Sequence, residues 1–190
     1  MNKSVLVIGG AGFIGSFLCN KLLNEGRFVV AYDNLLRGRI NNLKPIFNNS
    51  HFTFIEEDAN NIDALIGVIK KYNINYIFHL AANSDIQASA NDPQIEFECT
   101  AKTTWSILTA MRATGIKNLF FASTSAVYGE SVDNKPFKEN DTLNPISYYG
   151  SAKMASEAFI KSFSFMNGFT ISTNCGGTAH HLRCMNGQAT

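Results

Sequence analysis

The sequence lacks any apolar run near the length of about 20 residues that a membrane-spanning helix requires. It also lacks a strong excess of charge, because a net charge of +1 at pH 7 gives no basic surface of the kind that binds nucleic acid. The four cysteines form no disulfide framework, which favours reduced thiols and a cytoplasmic location. The first apolar stretch is too short for a secretory signal peptide. We therefore expect no membrane protein, no nucleic-acid-binding protein and no disulfide-rich secreted protein.

The composition is that of an ordinary globular chain, with 45% hydrophobic and 16% charged residues among 190. Short apolar runs typical of buried strands alternate with stretches of helical periodicity. The predicted strands are Val5–Ile8, Phe28–Tyr32, Phe52–Ile55, Tyr76–Leu80 and Asn118–Ala122. Strands that alternate with helices pair in parallel through right-handed crossovers. We expect an α/β fold, a Rossmann-type doubly wound parallel sheet with helices on both faces.

The strongest motif is the stretch VLVIGGAGFIG at Val5–Gly15. A buried strand runs directly into a glycine-rich turn, and apolar residues at helical spacing follow the turn. Glycines at positions such as Gly9, Gly12 and Gly15 permit a tight turn, let a pyrophosphate touch the backbone and let the helix pack closely on the strand. The amino terminus of that helix offers free N–H groups to phosphates. The motif predicts a dinucleotide-binding site.

Asp33 ends the second predicted strand, near the spacing from Gly15 at which an acidic residue accepts hydrogen bonds from the adenine ribose hydroxyls. Its negative charge would repel a 2′-phosphate, so we expect NAD to be preferred over NADP. Arg37 and Arg39 follow closely in the sequence and could weaken that preference.

Tyr149 and Lys153, four residues apart, follow a cluster of hydroxyl residues around Thr124 at the end of the fifth predicted strand. On a helix this spacing places the phenol and the ammonium on one face. A nearby cation favours the phenolate and lowers the pKa of tyrosine from its usual value of about 10. The pair predicts a general acid–base unit that moves a hydroxyl proton near neutral pH.

Together these segments resemble the NAD-dependent epimerase/dehydratase family of extended short-chain dehydrogenases/reductases, which acts on nucleotide sugars. The resemblance extends from Lys3 to about Phe169. The motifs that carry it are GGAGFIG at Gly9–Gly15, DNLLRG at Asp33–Gly38, Asp58, HLAA at His79–Ala82, STSAVYGE at Ser123–Glu130 and PISYYGSAK at Pro145–Lys153. The resemblance implies NAD as the cofactor and a nucleotide sugar, favouring a UDP-hexose, as the substrate.

The resemblance also implies roles for individual residues. Thr124 would hydrogen-bond the sugar 4-hydroxyl, Tyr149 would take its proton, and Lys153 would hold the nicotinamide ribose. Asp58 would bind the adenine edge. The residues implied to bind the cofactor are Gly9, Gly12, Phe13, Ile14, Gly15, Asp33, Asn34, Asp58, Ala59, Leu80, Ala81, Ala82, Tyr149 and Lys153. No metal site is expected.

Within the family the pattern favours members similar to UDP-glucose 4-epimerase. The sugar dehydratases carry an Asp-Glu pair directly after the catalytic threonine, and here Ser125 and Ala126 occupy those places. In an epimerase, sugar C4 loses hydride to NAD, the 4-keto sugar rotates, and hydride returns to the other face. Two alternatives stay open: an NAD-binding remnant or regulatory module without turnover, and another dehydratase or reductase of the family.

The end of the sequence departs from the family pattern. We expect residues 1–169 to form the NAD-binding Rossmann domain, and residues 170–190 to form a divergent, irregular tail in place of the smaller substrate lobe. A truncated or frame-shifted product with weak turnover is the expected consequence. Relatives often dimerise through the long helices, so a homodimer is one possibility.

Histidine and cysteine side chains give no metal-binding pattern. Cys175, His180, His181 and Cys184 lack the spacing of a zinc site. His79 lies inside a predicted strand without paired ligands, so we expect a packed core histidine.

Overall fold

The computed structural model describes residues 4–83, 85–131, 136–138, 140–176 and 182–185. The strands are β1 (Ser4–Ile8), β2 (Phe28–Asp33), β3 (Phe52–Glu56), β4 (Ile74–His79), β5 (Asn118–Thr124), β6 (Thr170–Gly176) and β7 (Leu182–Met185). They form one sheet in the order β3-β2-β1-β4-β5-β6-β7. Neighbouring strands are parallel except β6 and β7, which are antiparallel. The strand order reverses between β1 and β4, where open α/β sheets form their ligand crevice.

Helices follow most of the strands. They are α1 (Phe13–Asn24), α2 (Ile62–Lys71), α3 (Ile86–Asn91), α4 (Gln94–Glu96), α5 (Thr103–Thr114) and α6 (Tyr148–Asn167). A π-helical segment, Phe97–Lys102, joins α4 to α5, and 3₁₀ turns occupy Ile40–Ile46 and Ser125–Tyr128. Gly115 and Gly168 end α5 and α6 in the left-handed conformation, which glycine adopts at low cost. Within the described ranges, none of these helices is long and apolar enough to cross a membrane.

The core is divided between the two faces of the sheet by the alternation of side chains along each strand. Leu6 and Ile8 of β1 belong to a cluster built with α2, α5 and α6. Val5 and Val7 of the same strand belong to a second cluster built with α1. Successive residues of a strand point to opposite faces, so both faces are buried. The predicted doubly wound α/β fold is confirmed.

The region between β4 and α5 is more divided than the sequence predicts. The sequence predicts one helix from Pro93 to about Gly115, whereas the structure has α3 before it and the π-helical segment within it. A π-helical turn inserts an extra residue without abolishing the apolar face, so periodicity alone does not reveal it. Strand β4 also begins at Ile74 rather than at Tyr76.

In the part of residues 170–190 that the structure describes, two strands stand where an irregular tail is expected; the first overlaps the apolar stretch Phe169–Thr173, which the sequence offers as the start of a strand. Strand β6 pairs in parallel with β5 along its whole length, and β7 pairs with β6. Ile171 and Thr173 are β-branched and buried, which favours a strand at this position. Outside the described residues lie 177–181 and 186–190, with His180 and His181, and the side chains of Cys175 and Cys184.

Candidate active site

A cleft of about 520 Å³ opens at the carboxyl edge of the sheet, beyond the ends of β1, β2 and β4. Every predicted cofactor residue except Tyr149 and Lys153 lines it. These lining residues are Gly9, Gly12, Phe13, Ile14, Gly15, Asp33, Asn34, Asp58, Ala59, Leu80, Ala81 and Ala82. Arg37 also lines the cleft, and so do Cys99 and Thr103, which no sequence pattern assigned to the cofactor. Residues from separate strand ends are thus brought into one site.

The glycine turn consists of positions where a side chain has little room. Gly9 adopts a φ of +84°, and a Cβ there would lie 2.7 Å from the backbone nitrogen of Ala81. A Cβ on Gly15 would lie 2.1 Å from the carbonyl oxygen of Gly9. Helix α1 begins at Phe13, directly after Gly12, and no side chain caps its first N–H groups. This cradle of bare backbone with free amides fits the pyrophosphate of a dinucleotide.

Asp33 ties the glycine turn to the loop that follows β2. Its Oδ2 accepts a hydrogen bond from the N–H of Ala11 at 3.0 Å, and its Oδ1 accepts one from the N–H of Leu35 at 2.9 Å. A Cβ on Gly38 would come within 2.5 Å of the same carboxylate, so this glycine permits the loop to pass. A carboxylate offers about four lone-pair sites. Asp33 can therefore hold the turn and still accept a hydrogen bond from a ribose hydroxyl.

Asn34 and Asp58 contact each other on the wall of the cleft. The Nδ2 of Asn34 donates to Oδ2 of Asp58 at 3.0 Å, and the N–H of Asn60 donates to Oδ1 at 2.7 Å. The hydroxyl of Tyr32 donates to the backbone oxygen of Asp58 at 3.3 Å. These bonds fix an acceptor at the cleft wall, which is compatible with the implied contact to the adenine edge.

Close packing at the start of α6 brings Tyr149 to Thr124. Ser147 caps the helix, since its Oγ accepts from the N–H of Gly150 at 3.0 Å. Gly150 lies directly against the 3₁₀ turn after β5, where a Cβ would be 2.5 Å from the carbonyl oxygen of Ala126. This approach brings the Tyr149 hydroxyl close enough to the Thr124 side chain to lower the pKa of Tyr149.

Lys153 is buried in α6 behind the cleft wall. Its Nζ donates to the carbonyl oxygen of Ala122 at 2.7 Å and lies 4.6 Å from the ring centre of Phe121. Ala122 itself lines the cleft, so the ammonium adjoins it through one backbone group. Burial lowers the pKa of Lys153 to about 8, and the negative charges of Glu96 and Glu157 act in the opposite direction.

The expected lowering of the Tyr149 pKa by Lys153 is not found. Burial raises the pKa of Tyr149 above its usual value of 10, the hydrogen bond with Thr124 lowers it in part, and the charge of Glu96 raises it further. The ammonium of Lys153 is engaged by the carbonyl oxygen of Ala122. Tyr149 is therefore protonated at neutral pH in this structure.

Glu96 is a buried carboxylate whose charge acts on both Tyr149 and Lys153, and no sequence pattern indicated it. The Nδ2 of Asn83 donates to Oε1 of Glu96 at 2.8 Å, and the hydroxyl of Thr100 donates to Oε2 at 3.0 Å. Glu157 is a second buried carboxylate whose charge acts on Lys153. Unlike Glu96, it could have been predicted, because it is four residues after Lys153 and so lies on the same face of the helix. Asn83 and Glu96 meet only because the loop after β4 folds back on α4.

A second buried contact links β4 to the two long helices. The Nε2 of His79 lies 2.9 Å from Oγ1 of Thr104, which lies 3.0 Å from Oγ of Ser156. Nδ1 of His79 is buried without a hydrogen-bond partner in the described part of the chain. Burial lowers the pKa of His79 well below its usual value, and the charge of Lys153 lowers it further. His79 is thus the packed core histidine that the sequence predicts.

Comparison with known proteins identifies the family of the chain. The family model described as GDP-mannose 4,6 dehydratase matches residues 6–184. The chain belongs to the NAD-dependent epimerase/dehydratase family. The UDP-glucose 4-epimerase of Mycolicibacterium smegmatis is 34% identical over 159 residues, which are 83% of this chain and 50% of that protein.

Solved structures of family members have the same fold. The UDP-glucose 4-epimerase of Brucella ovis, in complex with NAD, matches with a TM-score of 0.83 and 31% identity, over 90% of this chain and 50% of that one. The enzyme of Thermotoga maritima, with UDP-glucose, also matches with a TM-score of 0.83 and 31% identity, over 90% of this chain and 54% of that one. The chain spans about half the length of these relatives. These relatives are epimerases.

Proposed function

We propose that this chain binds NAD and carries the acid–base residues of a nucleotide-sugar 4-epimerase that acts on a UDP-hexose. The observation that carries the proposal is the hydrogen bond from Lys153 to the carbonyl oxygen of Ala122, because Ala122 lines the cleft that we assign to the cofactor. The NAD and UDP-glucose complexes of relatives support the choice of ligands.

NAD, when bound, would accept hydride from sugar C4 and return it. The chain's own residues would handle the proton. Thr124 and Tyr149 contact each other, so a sugar 4-hydroxyl placed between them would hydrogen-bond both. Tyr149 must first lose its own proton, and a cation brought to the phenolate would favour that loss. Lys153, one turn further along α6, is the residue that we assign to this role. The phenolate would then take the hydroxyl proton as C4 is oxidised and give it back as C4 is reduced.

The residues after Thr124 support epimerisation over dehydration. Elimination of water from a sugar requires an acid and a base beside the reacting carbons. Ser125 and Ala126 follow Thr124 in the 3₁₀ turn, and neither side chain is a carboxylate. By the resemblance, a dehydratase carries an Asp-Glu pair at these two positions to eliminate water. This chain therefore lacks that pair there.

The test measures NAD affinity by calorimetry, and the rate at which a UDP-hexose reduces bound NAD by nicotinamide fluorescence, in the wild type and in Tyr149→Phe. We expect equal NAD affinity and a rate that is lower by about 10²–10⁴-fold in the variant. Absence of NAD binding would refute the cofactor assignment. An unchanged rate in the variant would refute the catalytic assignment.

A homodimer through α5 and α6 is part of the proposal. Trp105 is 46% exposed, and its ring centre lies 5.2 Å from those of both Phe159 and Phe163. An exposed tryptophan that packs on two partly buried phenylalanines of the adjoining helix favours an interface. Light scattering should show a dimer that Trp105→Glu converts to a monomer, and a monomeric wild type at micromolar concentration would contradict it. We also propose a cytoplasmic location, because the four cysteines form no disulfide framework.

A further inference from the structure

An ion pair joins the two loops that flank the glycine turn. Nη1 of Arg37, in the loop after β2, lies 3.3 Å from Oδ2 of Asp85, in the loop after β4. Strand β1, which leads into the glycine turn, lies between β2 and β4 in the sheet. The pair therefore connects opposite sides of the proposed cofactor cleft.

The cleft is otherwise acidic. In the described lining, Arg37 is the only cationic side chain, and the remaining charged residues are Asp33, Glu57, Asp58 and Glu98. An additional phosphate dianion in this cleft would be repelled by the carboxylates and would depend on Arg37 for its counter-charge. Whatever controls the guanidinium of Arg37 therefore controls whether such a phosphate is tolerated.

Asp85 is held in place by a buried neighbour. Its N–H donates to Oδ1 of Asn83 at 3.1 Å, and Nδ2 of Asn83 donates to the carbonyl oxygen of Asp85 at 2.9 Å. Asn83 is 1% exposed and also donates to Glu96 at 2.8 Å. The backbone of Asp85 is therefore held by the buried polar residues of the site, while its carboxylate faces Arg37.

We infer that Asp85 is a specificity-determining residue, which selects NAD against NADP by pairing with Arg37 and withholding its guanidinium from a 2′-phosphate. In dinucleotide-binding folds, an arginine near the acidic residue that ends the second strand accommodates the 2′-phosphate, and Arg37 is four residues beyond Asp33. Each side chain of the pair is 42% exposed, and pairs with such exposure are weak. The pair therefore withholds the guanidinium by a small free energy, and loss of the Asp85 charge removes that restraint. The inference rests on the proposed NAD binding.

The test is a double-mutant cycle of Asp85→Asn and Arg37→Gln, with the dissociation constants of NAD and NADP measured by calorimetry. Asp85→Asn should improve NADP affinity relative to NAD by about two- to fivefold, the size of one partly exposed ion pair. Arg37→Gln in the Asp85→Asn background should remove this gain. The ratio of the two constants cancels any contact of Arg37 with the pyrophosphate that both nucleotides share.

Two further variants serve as controls. Asp85→Glu retains the charge and should retain the wild-type ratio. Glu25→Gln removes an exposed carboxylate at the end of α1 remote from the cleft, and it should leave the ratio unchanged. An unchanged ratio in Asp85→Asn, or a gain that persists after Arg37→Gln, would overturn the inference while NAD binding stands. A wild-type protein that binds neither nucleotide would instead refute the proposed function, and the inference with it.

Discussion

Nζ of Lys153 donates to the carbonyl oxygen of Ala122 at 2.7 Å, and this hydrogen bond fixes the lysine of α6 against the end of β5. Lys153 is 2% exposed, whereas Ala122 lines the cleft. The burial that places the ammonium there also lowers its pKa to about 8. The same packing therefore sets both the position and the charge of the lysine. The pKa of Lys153 is about 8, whereas that of Tyr149 is raised above 10, so measurements at different pH can separate the protonation of the two residues.

Thr124→Val tests the coupling between the hydroxyl of Thr124 and the phenol of Tyr149. The hydrogen bond with Thr124 lowers the pKa of Tyr149, while burial and the charge of Glu96 raise it. Removing the hydroxyl leaves only the influences that raise the pKa. We expect the reduction of bound NAD by a UDP-hexose to shift to higher pH, with NAD affinity unchanged. Thr124→Ser keeps a hydroxyl and should keep the wild-type profile, and a valine variant with that profile would show that the two groups are not coupled.

Lys153→Met tests the free-energy cost of burying the ammonium. The pKa falls from an ordinary value of 10.5 to about 8 in the folded chain, so between these pH values only the unfolded chain holds the proton. Stability from this residue therefore rises with pH over that window, by a total on the order of 3 kcal/mol. In urea unfolding, the free energy of unfolding of the wild type should increase relative to that of Lys153→Met as the pH rises from 8 towards 10.5.

Lys161→Met is the matched control for that measurement, because Lys161 is exposed on the same helix. The difference in the free energy of unfolding between Lys161→Met and the wild type should change far less between pH 8 and 10. A difference for Lys153→Met that stays constant with pH would show that burial does not disfavour the charged lysine.

The parts of the site that follow one another closely in sequence could be predicted. Gly9, Gly15 and Asp33 are recognisable because a fixed spacing along strand, turn and helix is itself the requirement for binding a dinucleotide. Likewise, Tyr149 and Lys153 are neighbours on any helix. Such features depend on local backbone geometry, which the sequence pattern determines directly.

The contacts between distant segments could not be predicted. Arg37 meets Asp85 only after loops that begin at different strands have packed, and Asn83 meets Glu96 only after the loop that follows β4 has folded back on α4. The raised pKa of Tyr149 likewise depends on burial by the folded chain, whereas the spacing from Lys153 alone indicates a lowered one. Sequence spacing shows which groups share a face, and tertiary packing determines which of them become buried or paired.

Two glycines of the same turn should respond differently to substitution. A Cβ on Gly15 would lie 2.1 Å from the backbone oxygen of Gly9, so Gly15→Ala should destabilise the fold by about 1–3 kcal/mol. A Cβ on Gly12 meets only one atom, at 3.2 Å, and faces the cleft. We expect Gly12→Val to remain folded and to lose NAD binding. Thermal unfolding and calorimetry would measure the two effects.

Gly67→Ala is the control for the glycine pair. Gly67 lies in α2 with nothing within 4 Å of an added Cβ. Alanine there should stabilise the helix by about 0.5–1 kcal/mol and leave NAD affinity unchanged. Full NAD affinity in Gly12→Val would rule out the glycine turn as the pyrophosphate site.

His79 should make the fold sensitive to acid. Burial lowers its pKa well below the ordinary value of 6.5, so below pH 6.5 the unfolded chain binds a proton that the folded chain excludes. Stability from this residue is therefore fully present above pH 6.5 and decreases as the pH falls, by at most about 1.4 kcal/mol per unit. His79→Gln retains a polar partner for Thr104 but cannot titrate, so its stability should fall less steeply between pH 6.5 and 5. His51 is exposed, and His51→Gln should keep the wild-type slope. Equal slopes for the wild type and His79→Gln, measured by urea unfolding, would show that protonation of the buried ring does not oppose folding.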